Sequence, residues 1–161
     1  MDIYTSYPSN TYKRKGEHIL ISLTYLARHH DEHNGMELMR DLELWRRYFE
    51  EIGIVSALVI NENYFIQNFQ GDRLTVNEAW ARIIRDYPHI EPQVIEIKEI
   101  AERQWHGYLI KHLTTSVEDE EYTLKHLSAG HDFNPYMMSS AQITNFLDAI
   151  FKDKKFQENM K

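Results

Sequence analysis

Cysteine is absent from the 161-residue chain. That absence excludes disulfide frameworks, thiolate zinc sites, iron-sulfur clusters and cysteine nucleophiles together, and it makes a reducing cytoplasm the simplest compartment to expect. Long apolar runs are also missing. Stretches such as Ile54 to Ile60 fall well short of the 18 or more residues that a membrane span needs, and the polar, Tyr-rich first 17 residues hold no signal-peptide core, so no membrane association is expected. An excess of positive charge is lacking too. Eighteen Lys and Arg against 25 Asp and Glu leave a formal charge of -7, the wrong sign for a face that covers phosphates, so nucleic acid is not an expected partner. No Gly-rich phosphate loop, Gly-x-Ser-x-Gly elbow or His-Glu-x-x-His pattern occurs, and the chain is not expected to be an enzyme.

What is present is globular material of single-domain length, long enough to bury a core without a staple. Residues 1–17 carry Pro8, Ser9, Asn10 and Lys13-Arg14-Lys15 with no apolar period, and read as an N-terminal arm. His18 to Ala27 is mostly apolar and rich in β-branched and aromatic residues, as a buried central strand is. From Met36 to Glu51, Leu38, Leu42, Trp45 and Phe49 recur at helical spacing, and Gly53 ends that helix. Residues 54–60 and 64–69, joined by Asn61-Glu62-Asn63, read as a hairpin. Val76, Trp80, Ile83 and Ile84 mark a second helix ending near Tyr87-Pro88, and 94–100 and 107–113 read as two further strands. The order βαββαββ predicts an α+β, ferredoxin-like sheet over 18–113 with two helices on one face.

The segment 114–161 reads as a C-terminal helical extension. Ser116, followed by Val117 and the acidic run at 118–121, caps one helix that runs to about Ser128. Ser140 opens a second, whose Ile143, Leu147, Ile150 and Phe151 form one stripe, with Lys152, Lys154 and Lys155 at its end. A pair this short cannot build its own core, so it is expected on the sheet face opposite the first two helices.

Two groups of residues invite a chemical reading. His29, His30 and His33 beside Asp31 and Glu32 have the right donor types for zinc, but no ligand spacing, so a polar loop is the simpler reading and no metal site is expected. Tyr25 and Gln67 are polar residues in the middle of apolar strands. Each either faces a partner across a buried layer or meets a backbone group on the other side of the sheet.

The stretch from His18 to about Leu113 resembles a BLUF domain, the flavin-binding blue-light sensor. The resemblance rests on Tyr25-Leu26-Ala27-Arg28 at the end of the first strand and on Gly53-Ile54-Val55-Ser56 running through Phe65-Ile66-Gln67 to Gln70-Gly71. It continues through Arg82-Ile83-Ile84-Arg85-Asp86-Tyr87-Pro88-His89 and Arg103-Gln104-Trp105-His106-Gly107-Tyr108-Leu109-Ile110, with Tyr25 and Gln67 at the family's separation of 42 positions. It implies FAD held non-covalently between the helices at 36–51 and 73–87, Tyr25 as electron and proton donor, and Gln67 as the side chain that rearranges. Arg82 and Asp86 would lie towards the ribityl and phosphate side. The positions where the family recognises the flavin with Asn are Tyr48 and Phe49 here; the family's Thr and Gly after Gly53-Ile54 are Val55 and Ser56, and the Trp and Met of its last strand are Tyr108 and Ile110. Output is expected through the C-terminal helices, by self-association or a protein partner. The alternative expectation is a flavin-free interaction module on the same fold, with Trp45, Tyr48 and Phe49 filling the cofactor space.

Overall fold

The computed structural model of the chain describes residues 18–29, 36–61, 63–113 and 135–152. The arm at 1–17, the helix expected at 116–128, and His30, Asp31, Glu32, His33, His126 and His131 lie outside the described residues. The elements are β1 (Leu20–Arg28), α1 (Met36–Ile52), β2 (Val55–Ile60), β3 (Tyr64–Asp72), α2 (Arg73–Asp86), β4 (Gln93–Ile100), β5 (Tyr108–His112) and α3 (Ser140–Phe151). The βαββαββ order is as expected. Two short 3-10 turns, Pro88–Ile90 and Pro135–Met137, have no counterpart in the sequence reading.

One five-stranded sheet runs in the order β4-β1-β3-β2-β5. Its pairs are antiparallel except β2 with β5, which is parallel. β1 and β3 sit inside the sheet and are buried along their length apart from their ends; β1 accordingly reads as a near-continuous apolar run, whereas β3 buries Gln67, Asn68 and Gln70 among its apolar residues. On the first face, Leu23, Tyr25, Leu58, Phe65 and Phe69 pack under Leu42 and Phe49 of α1 and Val76 and Ile83 of α2. On the second, Leu26, Ala57, Val59, Ile66 and Leu109 pack under Ile143, Phe146, Leu147, Ile150 and Phe151 of α3. Each such large apolar side chain, once fully buried, stabilises the fold by about 1.5–3 kcal/mol relative to exposure. The last helix therefore lies on the face opposite α1 and α2, as its stripe required.

β4 is the exposed edge, and its pairing with β1 slips by one residue between Thr24 and Tyr25: Thr24 faces Glu96, Tyr25 faces Val94, and Ile95 is the extra residue. Such a bulge bends a strand and re-aims the side chains beside it. Here it lies against Tyr25.

Local chemistry sets the element ends. Gly53 terminates α1 at φ +75°, a backbone conformation that costs glycine little. At Gly71 a Cβ would stand 3.2 Å from Ile54 Cγ1, so a side chain there would crowd the entry to β2. The cap of α3 is one residue earlier than the sequence indicated: Ser139, not Ser140, accepts from Gln142 N through its hydroxyl, while the Gln142 side chain accepts from Ser139 N. That reciprocal pair satisfies two end donors at once and outcompetes a cap at 140.

Candidate functional site

The antiparallel register of β1 and β3 puts Tyr25 directly opposite Gln67. Both side chains are buried, and the Tyr25 hydroxyl donates to Gln67 Oε1 at 2.5 Å. Gln67 Nε2 donates to Ser56 Oγ at 2.8 Å and to the Tyr108 hydroxyl at 3.2 Å. Ser56 and Tyr108 come from β2 and β5, where the parallel register also places them opposite one another. The amide thus uses its carbonyl and both its N–H groups on three hydroxyls from three strands.

Burial holds the Tyr25 phenol well above its ordinary range, and the nearby Tyr108 raises it further. Desolvation also raises Tyr108, against a smaller lowering by the Gln67 hydrogen bond. Both phenols are neutral at physiological pH and keep their protons available for hydrogen bonding. The Tyr25 ring is wedged among Phe65, Phe69 and Trp80, with the Trp80 centroid 5.1 Å away.

Tyr25 and Gln67 line a cavity of about 100 Å³ between α1 and α2, together with His29, Asp41, Trp45, Phe65, Tyr87 and His89 among others. Its aromatic walls and polar lining suit a flat heteroaromatic ring in kind, and the Tyr25–Gln67 pair is exposed to it. In volume it is below the roughly 300–1,000 Å³ typical of ligand sites. Trp45 of α1 and Tyr87 after α2 meet at 5.4 Å between centroids, so seating three fused rings requires that contact to open. His29 Nε2 donates to the Asn61 carbonyl at 2.7 Å, and its buried Nδ1 has no hydrogen-bond partner among the described residues.

The other residues singled out in the sequence lie outside the lining of this cavity. Phe49 is fully buried in the core, against Phe69 at 5.3 Å and Tyr108 at 5.7 Å. Tyr48 faces the exposed Arg82, whose guanidinium sits 4.3 Å from the ring centroid. Arg82 also reaches Asp86 at 3.6 Å, as does Arg85 at 2.9 Å, and this second pairing lowers the Asp86 carboxyl. Among the described residues no three His, Asp or Glu side chains form a metal-sized group.

A second polar network was not foreseen. On the opposite face of β3, Asn68 donates to Ser22 Oγ at 2.7 Å and Thr24 Oγ1 at 2.8 Å, and its Oδ1 accepts from Trp105 Nε1 at 2.7 Å and Gln70 Nε2 at 2.9 Å. Gln70 Oε1 in turn accepts from the Gln104 backbone at 2.7 Å. Trp105 packs edge-on against Phe151 of α3 at 5.8 Å. The sequence carried one signal of this network: Asn68 and Gln70 alternate with Gln67 and Phe69 in a strand buried on both faces, so buried amides needed partners on each side.

The sequence profile described as "BLUF: Sensors of blue-light using FAD" matches residues 20–111. Among solved structures, the chain is similar to "BlsA photo-activated state" at a TM-score of 0.69 and 20% identity, covering 84% of this chain and 97% of that one. It is similar to "BlrB - a BLUF protein, dark state structure" at a TM-score of 0.62 and 21% identity, covering 83% and 98%. Against the Klebsiella pneumoniae BlrP1 complex the TM-score is 0.56 at 18% identity, with 88% of this chain covering 33% of that one. No curated protein matches the sequence. At these identities the structural likenesses speak for the fold, while the profile spans more than half of the chain and takes in Tyr25, Gln67 and α2: the chain belongs to the BLUF family of blue-light sensors.

Proposed function

We propose that this chain is a BLUF-type photosensor, with FAD held non-covalently between α1 and α2, Tyr25 and Gln67 as its switch, and output by protein contact through the C-terminal segment. The observation that carries this reading is the buried 2.5 Å hydrogen bond from Tyr25 to Gln67 at the wall of the inter-helix cavity. Bound FAD supplies blue-light absorption and an oxidising excited state. The chain supplies the rest. Tyr25 keeps its phenol proton and points it at Gln67 Oε1, so a proton released when an electron is withdrawn from the phenol would pass to the amide. Every partner of the Gln67 amide is a hydroxyl, and a hydroxyl both donates and accepts. A turned or tautomerised amide therefore still finds partners in Tyr25, Ser56 and Tyr108, which gives two hydrogen-bonded arrangements for a light signal to choose between. Arg82 and Asp86 form the polar outer rim towards the cofactor's phosphate side, and Tyr48 and Phe49 stand at the ring-recognising positions of α1.

The signal is read through protein contacts and not through turnover, in a cytoplasmic self-associating protein. α3, whose Phe151 meets Trp105 under the sheet, is the described part of that output. The test is the visible spectrum of the purified protein, with and without added FAD, in darkness and under blue light. Flavin bands with a reversible red shift are expected, and Gln67→Leu should abolish the shift while the flavin stays bound. A shift that survives in that variant removes Gln67 from the switch.

A second reading is favoured by one specific feature, the fully buried Phe49 seated on Phe69 and Tyr108. In it the chain is a flavin-free interaction module with the same output surface. That reading requires a colourless protein whose melting temperature does not respond to FAD.

A further inference from the structure

β4 forms one edge of the sheet: among the described residues it pairs with β1 alone, so on its outer side alternate backbone N–H and C=O groups have no neighbouring strand. Such edges recruit further strands unless something spoils them. Pro92 and the bulge at Ile95 spoil the start of β4, whereas from Glu96 to Ile100 the pairing with β1 runs in unbroken register against Thr24 to Leu20. This second half is regular, and most of it is exposed. At its centre Ile97 is 53% exposed, although Leu23, its register partner on the same face, is buried in the core. Val94, on that face too as the partner of Tyr25, is 45% exposed.

Charge decides which strand fits there. On the other face of β4, Glu96 and Lys98 flank Ile97 and reach one another at 3.4 Å while both remain partly exposed. Opposite charges placed on either side of a central residue make a strand complementary to itself. Turned antiparallel about a two-fold axis at Ile97, a second copy sets Ile97 against Ile97, Glu96 against the partner's Lys98 and Lys98 against the partner's Glu96. Residues opposite one another in an antiparallel pair share a face, and this register satisfies that requirement. The two adjacent two-fold registers do not match, because centring on Glu96 or on Lys98 sets like charges against each other.

We propose that β4 is a homodimer interface, at which two copies of this chain join their sheets edge to edge through Glu96, Ile97 and Lys98. The matched stretch ends at the bulge, so the contact is small and the dimer is weak and concentration-dependent. It requires neither a flavin nor the C-terminal segment. It also sets the second copy one strand away from Tyr25, since β1 lies directly beside β4.

The experiment is sedimentation equilibrium from about 10 µM to about 1 mM protein, on the full chain, on Glu96→Lys, on Lys98→Glu and on the double exchange. The unmodified chain should show a monomer–dimer equilibrium. Each single exchange sets like charges together at both ends of the contact and should raise the dissociation constant at least about tenfold. The double exchange restores opposite charges and should recover the dimer. The two single variants, mixed, should associate with each other, because each offers the charge that the other lacks. Both side chains are partly exposed, and circular dichroism confirms that the variants fold. A chain that is monomeric throughout this range overturns the proposal. A dimer that the single exchanges leave intact also overturns it and places self-association on another surface, such as the C-terminal helix. Single variants that dissociate but do not pair when mixed overturn it as well, since their loss then has a cause other than the opposition of residues 96 and 98.

Discussion

Asn68 Oδ1 receives the indole N–H of Trp105 at 2.7 Å on one face of β3, while its sequence neighbour Gln67 receives the Tyr25 hydroxyl at 2.5 Å on the other. Two adjacent residues thus tie both layers of the protein to one stretch of backbone. A shift of the strand at Gln67 displaces Asn68, and Asn68 holds the tryptophan against which Phe151 of α3 packs. Trp105→Phe should keep the fold and the apolar contact but lose the indole hydrogen bond. The expected cost is about 1 kcal/mol by urea denaturation. Trp105→Ala, which also opens a cavity under α3, should cost about 3–5 kcal/mol.

Replacing Gln67 by Leu has a stability signature separate from its effect on light response. Three hydroxyls, of Tyr25, Ser56 and Tyr108, lose their shared partner in a buried layer. The dark protein should be destabilised by about 1–3 kcal/mol, measured by chemical denaturation without added flavin.

The raised Tyr25 and Tyr108 phenols set the alkaline limit of the fold. An unfolded tyrosine titrates near pH 10. Below that pH both states keep the proton and the two groups make stability independent of pH. Above it the unfolded chain releases protons that the folded one retains, so stability falls as pH rises towards the folded-state values. Absorbance at 295 nm should show the two phenols ionising only together with unfolding, whereas exposed tyrosines titrate earlier.

Phe49→Asn restores the family's residue at the position 18 before Gln67. The loss of a fully buried ring should cost about 3–5 kcal/mol in the absence of ligand. Flavin affinity should rise, and FAD should raise the melting temperature of the variant by more than that of the unmodified chain. Differential scanning fluorimetry with and without FAD measures both effects.

Most of the fold is legible in the sequence because it is locally written. β1 announces itself as an apolar run, β2 and β3 as the β-rich arms of a hairpin around Asn61-Glu62-Asn63, α1 by its four-three-four spacing of Leu38, Leu42, Trp45 and Phe49, and the end of α2 by Tyr87-Pro88. The cap of α3 was misplaced by one residue because Ser139 and Ser140 are both good caps, and the reciprocal bond to Gln142 decides between them. The site was legible only in part. Tyr25 and Gln67 stood out as polar residues in apolar strands, but that they meet depends on the β1–β3 register, which no local pattern fixes. Ser56 and Tyr108 join them through a parallel pairing of strands about fifty residues apart.

That parallel pairing carries a consequence for how the chain acquires its structure. β5 takes its place beside β2, bringing Tyr108 opposite Ser56, so this edge of the sheet forms only by closing the whole segment that holds β3, α2 and β4. Contacts of such separation form slowly, because the entropy of closing the loop is lost before the pairing compensates for it. Until β5 docks, Gln67 lacks the Tyr108 hydroxyl among its partners. The amide environment of the switch is therefore complete only when strands about fifty residues apart have paired, and a sheet without β5 leaves Gln67 one hydroxyl short.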